Sequence, residues 1–445
     1  MATACNARLD SAPIFSVQCH GTQGGSRWRE PGLCRFFTKG QRQGGSRRAP
    51  GIPPSLQETI AIAAVIPATP GLLHVVTILT YCSLYGAQPI QPLLAGQFQL
   101  SPLQAILFTT LMMAPLGIAP LLYGYLLESH SVKVMLRLAL AVLGVLELFF
   151  AMAGDYLTLL ALRGLQGLMI PAILTSILTY ISYSSPRERV GGNIAVYIAA
   201  TIVGGFLGRF LCGVCTDLFG WRVFFFTLGI LLLLCCLLLR GMARDVKLQY
   251  QRPKAGDIVA LLAKPTFIRA YAAIFCLFFV FVGVMNFLPF ELKRLDPGFR
   301  ESGIGLLYLG YGMGIVVSLN SRRIVRLCGG ETRAIVLGIT VFALGTLCFL
   351  AEHYLLMFAS MFVFCAGMFT AHALLSGLVN TMARANKGIA NGLYMCFYYT
   401  GGTLGSFLPG AVYHRYGWAG FLGQLLLLIA VAFLLVRRLD AASVD

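Results

Sequence analysis

Residues 204–213, Gly-Gly-Phe-Leu-Gly-Arg-Phe-Leu-Cys-Gly, return 197 positions later as residues 401–410, Gly-Gly-Thr-Leu-Gly-Ser-Phe-Leu-Pro-Gly. At this offset, ten of the 21 positions from 204 to 224 are identical, and two of the three tryptophans, Trp221 and Trp418, coincide. Apolar composition alone does not produce such a match, because glycine occupies only 49 of the 445 positions. The offset therefore predicts an internal repeat whose two copies run in the same direction.

The composition is that of a membrane protein. Hydrophobic residues make up 58% of the chain and charged residues 11%, with a mean hydropathy of +0.78, whereas soluble domains carry roughly 25% charged residues. This balance excludes a soluble enzyme, a nucleic-acid-binding module and a disordered chain. Uncharged runs such as residues 224–239 also exclude a barrel, whose strands alternate in polarity over ~10 residues. The sequence predicts an all-α integral membrane protein.

Twelve stretches have the ~20 predominantly apolar residues that a helix needs to cross the hydrocarbon core. They are predicted at residues 70–93, 104–126, 132–153, 156–182, 191–214, 222–240, 269–290, 303–320, 332–351, 354–379, 389–412 and 417–436. Combined with the repeat, these transmembrane helices predict two pseudo-symmetric six-helix bundles, residues 70–240 and 269–436. A charged linker, residues 241–268, joins the bundles, and a short tail, residues 437–445, follows the second.

The basic residues indicate the orientation. With the N-terminus inside, the cytoplasmic loops and tail hold nineteen Lys and Arg and the external loops five, leaving the N-terminal segment aside. By the positive-inside rule, both termini, the linker 241–268 and the tail 437–445 are cytoplasmic. The net charge of +17 is thus explained by membrane orientation, and no nucleic-acid partner is expected.

Residues 1–69 differ from the rest of the chain, because Gly, Ser, Arg and Pro dominate there. Such a composition predicts a disordered cytoplasmic extension. Two other interpretations stay open: an Arg-rich organelle transit peptide, and a start codon upstream of the natural one. A eukaryotic organelle is therefore a second possible location.

Local motifs add a family resemblance. Residues 163–167, Arg-Gly-Leu-Gln-Gly, resemble the R-x-x-Q-G pattern of the major facilitator superfamily, and residues 85–92, Tyr-Gly-Ala-Gln-Pro-Ile-Gln-Pro, are similar to the end of the first helix in its bacterial efflux-type members. The resemblance covers residues 70–436. It implies a secondary transporter of the inner (plasma) membrane that works by alternating access and exports a small organic compound against protons, as drug, sugar and proton antiporters do.

A second motif of that family lies between the second and third predicted helices. Gly124, Glu128 and Lys133 belong to a loop that resembles, in degraded form, its G-x-x-x-D-R-x-G-R-K pattern, with Ser129 and Ser131 in place of a basic residue and a glycine. The resemblance implies that Glu128 makes a gate contact with the other half. Residues 204–208 lie where antiporters of the family carry a Gly-Pro motif, and this chain has no proline there.

Ionisable residues inside the predicted helices are functional candidates, since burying a charge in a bilayer is costly. Glu147 and Arg163 each lie eight positions from Asp155 at the helix junction, so at ~1.5 Å per residue they reach a similar depth of about 12 Å. Arg163 and Gln166 share a helix face at i, i+3. We expect Arg163 to face the central cavity with Gln166, and Glu147 to neutralise it or to exchange the coupled proton. The alternative is a structural ion pair that fixes the helix hairpin.

Other polar residues complete the candidate set. Gln88, Asn286 and Tyr398 are predicted ligand contacts in a mostly apolar cavity. Arg209 is expected to snorkel to the outer surface, with cavity lining as the alternative. His372 is expected to be satisfied by a backbone carbonyl rather than to transfer protons. No acidic residue occurs in the first predicted helix, which favours neutral or anionic cargo over cationic drugs.

Glycines of the repeat are predicted to allow close helix approach and pivoting, with static packing as the alternative. They are Gly204, Gly205, Gly208, Gly401, Gly402 and Gly405.

Motifs for catalysis are missing from the sequence. It contains neither a G-x-x-x-x-G-K-[ST] phosphate loop nor H-E-x-x-H nor G-x-S-x-G. We expect no enzyme activity, no cofactor and no metal; the predicted partners of a monomer are the lipid bilayer, a small-molecule substrate and protons. A proton-coupled importer, a uniporter and a solute sensor that does not transport remain alternatives.

Overall fold

The computed structural model describes residues 70–129, 131–185, 187–241, 255–383 and 387–440, and these are almost entirely helical. The predicted extension 1–69, half of the predicted linker 241–268 and the end of the tail lie outside the described residues.

Within the described ranges, seven α-helices lie in the first half of the chain. They are α1 (Pro70–Tyr85), α2 (Gln91–Gln97), α3 (Pro102–Ser129), α4 (Val132–Met152), α5 (Tyr156–Ser184), α6 (Arg187–Phe219) and α7 (Trp221–Leu238). Eight more follow in the second half. They are α8 (Ala255–Leu262), α9 (Pro265–Leu295), α10 (Glu301–Leu307), α11 (Met313–Cys328), α12 (Glu331–Cys348), α13 (Tyr354–Met382), α14 (Lys387–Phe407) and α15 (Gly410–Asp440).

Each of the twelve predicted stretches overlaps one or two of these helices. In the part of the chain that the structure describes, nine helices are long and apolar enough to cross a membrane, and two shorter apolar helices lie at 71–85 and 102–118. An all-α membrane fold is confirmed, while twelve crossings remain a prediction. The predicted stretch 70–93 is interrupted between α1 and α2, where Pro89 has no N–H to continue the helical hydrogen bonds.

Contacts within each half repeat at the sequence offset. A Cβ on Gly204 would collide with the backbone of Ile78, and a Cβ on Gly401 would collide with the backbone of Phe275, 197 residues further on. Gly208 and Gly405 approach Cys82 and Phe279 in the same way. In each half, these glycines let one long helix, α6 or α14, lie directly against another, α1 or α9. The repeat in the sequence is thus a repeat in the packing.

The repeated Gly-Trp pair has a backbone reason. Gly220 and Gly417 have φ angles of 88° and 68°, in the region that favours glycine. Each forms the bend before a tryptophan whose indole N–H is hydrogen-bonded: Trp221 Nε1 donates to Gln97 Oε1 (2.9 Å) and Trp418 Nε1 to the carbonyl of Phe349 (2.8 Å). Both halves therefore turn and anchor the next helix by the same device.

Helix α9 lies at the centre of the described structure. Its most apolar stretch is 94% buried, against 33% to 50% for the other helices of membrane-spanning length. The other helices keep one side exposed, as expected of helices that contact lipid. Side chains on α9, including Asn286, therefore lie in the interior where the two halves meet.

Candidate functional site

Among the residues that the structure describes, two arginines are fully buried in the interior, Arg163 on α5 and Arg209 on α6. A buried guanidinium is costly unless it is paired or hydrogen-bonded, so the surroundings of each one define a candidate site.

Arg163 lies in a cluster within the first half. Its Nη1 donates to the carbonyl of Ser83 (3.2 Å) and to Gln166 Oε1 (3.1 Å), and its Cζ lies 4.0 Å and 4.7 Å from the ring centres of Phe150 and Phe225. Its Nε and Nη2 have no hydrogen-bond partner among the described residues. Two of the three guanidinium nitrogens are thus available to donate further hydrogen bonds.

Glu147 reaches the same cluster through Ser83, whose hydroxyl donates to Glu147 Oε1. The second carboxylate oxygen and Gln166 Nε2 have no partner in the described part of the chain. Among the ion pairs of the described residues, none joins Glu147 to Arg163. Ser83 therefore bridges the two residues: its hydroxyl binds Glu147, and its carbonyl binds Arg163.

Arg209 forms a second cluster at the contact between the halves. Its Nε donates to Gln88 Oε1 (2.6 Å), and Nη1 donates to the carbonyl of Gly205. Three aromatic rings surround the guanidinium, with Cζ 4.1 Å from the centre of Tyr85, 4.7 Å from Tyr308 and 4.6 Å from Tyr311. Tyr308 and Tyr311 belong to the second half, in the 3-10 helix Tyr308–Gly312 between α10 and α11.

Amide groups extend this cluster across the interface. Gln88 Nε2 donates to Asn286 Oδ1 (2.7 Å), and Gln91 Nε2 donates to Thr109 Oγ1 (2.8 Å) and, at 3.4 Å, to Asn286 Oδ1. Gln91 Oε1 and Asn286 Nδ2 are buried without a partner among the described residues. This part of the interface therefore brings together Arg209, three amide side chains and two buried hydrogen-bonding groups without a partner among the described residues.

Near the start of α10 the halves are held together. Asp217 of α6 accepts hydrogen bonds from the backbone N–H groups of Glu301 (3.1 Å) and Ser302 (3.0 Å), and its carboxylate lies 3.6 Å from Arg300 Nε. A Cβ on Gly213 would collide with Glu301. This end of the interface is closed.

Close to the opposite ends of α6 and α14, a Cβ on Gly192, Gly388 or Gly392 would meet no described atom within 4 Å.

Comparison with known proteins assigns the family. A model described as Major Facilitator Superfamily matches residues 73–330, more than half of the chain. The chain belongs to this superfamily. Inner membrane transport protein YnfM of Escherichia coli (strain K12) is 28% identical to it over 372 residues, which cover 81% of this chain and 87% of that protein. The chain is thus a multi-pass membrane protein related to transporters over most of its length.

Solved structures show the same fold. The nucleoside transporter NupG aligns with a TM-score of 0.69 at 13% identity and covers 84% of this chain and 99% of its own. A bacterial homologue of the human lysosomal transporter Spinster, in an inward-facing and unoccupied conformation, aligns with a TM-score of 0.63 at 14% identity, over 83% of this chain and 96% of its own. This superfamily member is a secondary transporter.

Several of the predicted site residues are in contact in the folded transporter. Arg163 and Gln166 are in contact, and Glu147 joins them through Ser83. Gln88 and Asn286 meet in the second cluster. Tyr398 lies in an aromatic stack with Phe278 at 3.5 Å between ring centres and with His372 at 4.7 Å. Their roles in transport remain predictions.

One prediction about Arg209 is wrong. The expectation that it snorkels to the surface fails because the aromatic rings, Gln88 and Gly205 hold the guanidinium in the interior. The helix periodicity contained a signal: Gly205 and Arg209 are one turn apart, and a Cβ on Gly205 would lie 3.5 Å from the ring of Tyr311 in the opposite half. The face of α6 that carries Gly205 was therefore the interior face.

The expectation for His372 also needs correction. Its Nδ1 lies 3.0 Å from the hydroxyl of Tyr394, so the partner is a side chain rather than a backbone carbonyl. The same hydroxyl is 3.1 Å from the His372 carbonyl.

The predicted gate lies at the α3–α4 junction. Gly124 and Glu128 are in the last turns of α3, where side chains fall outside what the structure describes, and Lys133 lies in the first turn of α4. The gate contact stays a prediction. Within the described ranges, no three His, Cys, Asp or Glu side chains are grouped so as to hold a metal ion.

Proposed function

We propose that this transporter exports a small organic compound in exchange for protons, and that Glu147 carries the proton. The observation that carries the proposal is the burial of Glu147 at the level of Arg163, with one carboxylate oxygen bound by Ser83 and the other unpartnered.

Proton coupling would depend on whether a positive charge lies next to the Glu147 carboxylate. A buried carboxylate without a direct ion pair favours its protonated form, whereas a guanidinium brought against it favours the charged form. Arg163 now donates to Ser83 and Gln166 and retains two free donor nitrogens. A small swing of Arg163 between Gln166 and Glu147 would therefore release or admit one proton.

The groups that face Glu147 come from three helices. α5 contributes Arg163, α1 contributes Ser83, and α7 packs Gly229 against Gly144, about one turn from Glu147. Arg163 is the charged neighbour that acts on the Glu147 carboxylate. Movement of α5 relative to α1 is thus the geometric step that would couple protonation to conformation.

Alternating access would move the two bundles, residues 70–240 and 269–436, against each other. Gly204, Gly208, Gly401 and Gly405 hold helices together inside each half, which suits static packing. Gly205 and Gly402 also approach the opposite half. An added Cβ on Gly205 would lie 3.5 Å from Tyr311, and one on Gly402 would lie 3.1 Å from Met113 while also colliding with Phe278 of its own half at 2.5 Å. We assign the pivot role to these two glycines.

The remaining features fit the same scheme. With cytoplasmic termini, the end closed by Asp217 faces outward, and the motif Gly124, Glu128 and Lys133 gates the cytoplasmic end. The name of the YnfM relative supports the bacterial inner membrane. We also propose that the transporter works as a monomer.

The test is proton movement in proteoliposomes that enclose a fluorescent pH reporter, challenged with sugars, organic anions, amino acids and amphipathic drugs. We expect a substrate-dependent signal that Glu147→Gln abolishes and that Glu352→Gln preserves. Glu352 is the matched control, because its side chain is 57% exposed and lies far from the cluster in the chain.

Three results would contradict the proposal. Unchanged transport and pH dependence in Glu147→Gln would remove the proton-carrier role. Substrate flux without proton movement would indicate a uniporter. Binding without any flux, from folded protein, would indicate a solute sensor.

A further inference from the structure

Arg209 is a buried cation without a counter-ion in the described residues. Its side-chain hydrogen bonds go to the neutral oxygens of Gln88 and Gly205, and aromatic rings cover much of the remainder. No ion pair of the described residues includes it. Cation–π contacts offset only part of the cost of burying a charge. The site therefore has an unbalanced positive charge.

The buried carboxylates of the interior are engaged elsewhere. Glu291 binds Arg294 at 2.7 Å, Glu301 binds Lys293 at 2.9 Å, and Glu147 belongs to the Arg163 cluster through Ser83. None of the three is available to Arg209 in this arrangement.

Two further groups at the same interface are unused. Gln91 Oε1 and Asn286 Nδ2, an acceptor and a donor, are fully buried and have no partner in the described ranges. Nearly all buried polar groups in folded proteins are hydrogen-bonded, so unused ones mark a place for a ligand or water. A single hydroxyl can donate to the first group and accept from the second.

We infer that the substrate is a carboxylate with a hydroxyl or similar polar substituent, and that Arg209 binds its carboxylate while Gln91 and Asn286 bind the substituent. This inference rests on the proposed transport function and names the substrate class. Gln88 Oε1 accepts a hydrogen bond from the Arg209 guanidinium, and the substrate carboxylate takes the place of this oxygen.

The exchange favours the carboxylate for a geometric reason. A guanidinium edge can bind both carboxylate oxygens in parallel, whereas the Gln88 amide offers one oxygen. One cation also matches one carboxylate, and it matches inorganic phosphate less well, because phosphate approaches two charges at neutral pH.

Since Arg209 belongs to the first half and Asn286 to the second, a substrate bound to both would join the halves. This contact is what a substrate-triggered rearrangement requires.

The test is thermal unfolding of the purified full-length protein in detergent at neutral pH. The probes are lactate, mandelate, gluconate and benzoate, each beside its carboxamide, with inorganic phosphate as a separate arm. We expect at least one hydroxy-carboxylate to raise Tm, and its amide and phosphate to bind about tenfold or more weakly, as loss of a charge-assisted hydrogen bond predicts.

Three variants complete the experiment. Arg209→Gln is expected to lose the carboxylate-dependent shift in Tm, and Arg209→Lys to keep it with about tenfold weaker binding, since the paired geometry is lost. Arg415→Gln should behave as wild type, because Arg415 is exposed and contacts only the ring of Tyr416 among described aromatic side chains. The lysine variant keeps the test valid if the glutamine variant does not fold.

Four results would each overturn the inference. They are equal binding of a carboxylate and its amide, a retained shift in Tm in Arg209→Gln, wild-type affinity in Arg209→Lys, and no shift in Tm with any carboxylate. The proteoliposome assay separates it from the proposed function. Arg209-dependent binding without proton movement would support the carboxylate site and overturn proton coupling. Proton movement driven only by neutral or cationic compounds would support proton coupling and overturn the carboxylate site.

Discussion

Gln88 and Asn286 lie 198 positions apart in the chain, and their side-chain amides meet at 2.7 Å. The separation differs by one from the repeat offset, so the two residues occupy nearly equivalent places in the two halves. Arg209 binds the far side of Gln88, at 2.6 Å. One hydrogen-bonded chain, guanidinium to amide to amide, therefore crosses the interface on which alternating access depends.

The first prediction concerns the energy of this contact. In a double-mutant cycle on Gln88→Ala and Asn286→Ala, we expect a coupling of about 0.5–3 kcal/mol in the free energy of unfolding, the range for side chains in direct contact. Denaturant unfolding in detergent measures it.

Asn320 supplies the control for that cycle. It is an exposed amide whose Nδ2 donates to the carbonyl of Val316 within its own helix. Gln88→Ala with Asn320→Ala should add to within about 0.5 kcal/mol. Equal couplings in the two cycles would show that the Gln88–Asn286 contact has no energetic role.

The second prediction separates the glycines of packing from those of pivoting. Gly208→Ala places a methyl group against the backbone of Cys82 and should destabilise the fold by about 1–3 kcal/mol. Gly205→Ala meets Arg209 and Tyr311 at 3.4 Å and 3.5 Å, so we expect folded protein with slowed transport. Thermal unfolding and initial transport rates measure the two effects.

Gly192→Ala is the control for both, because a methyl group there meets no described atom within 4 Å. If Gly205→Ala transports at the rate of Gly192→Ala, the pivot assignment is wrong.

The third prediction addresses the closed end of the interface. Asp217→Asn removes the negative charge that binds Arg300 and two backbone N–H groups of α10. Loss of charged hydrogen bonds of this kind costs about 1.5–3 kcal/mol, enough to shift the equilibrium tenfold or more toward opening at this end. A spectroscopic distance between probes placed on α6 and α10 reports the shift.

Asp257→Asn serves as its control, since Asp257 lies on α8, far from that end in the chain. An unchanged distance distribution in Asp217→Asn would mean that the seal depends on backbone packing, such as Gly213 against Glu301, rather than on charge.

The fourth prediction tests whether Arg163 acts in transport or in folding. Arg163→Ala should abolish substrate-dependent proton movement while protein abundance in the membrane stays near that of wild type, because Glu147 can become neutral by taking a proton. Arg415→Ala, at an exposed position, is the control for both readouts. A parallel loss of abundance and transport would indicate that Arg163 has a structural role instead.

Local pattern was sufficient for some of this architecture. Apolar length predicted the helices, and the offset of 197 predicted that Gly204 and Gly401 make equivalent contacts, as they do with Ile78 and Phe275. Arg163 and Gln166 meet because residues at i, i+3 share a face of any α-helix. Such features depend on spacing along one chain segment, which the sequence contains in full.

The tertiary structure alone decided which faces meet. The burial of Arg209 depends on Tyr85, Tyr308 and Tyr311, which come from distant segments, and hydropathy treats a buried and a snorkelling arginine alike. The Gln88–Asn286 contact likewise depends on which face of α9 is turned toward the segment that follows α1. The sequence by itself determined the helices and their repeat, and three-dimensional packing determined the site, because side-chain direction between helices is set by contacts that no local period records.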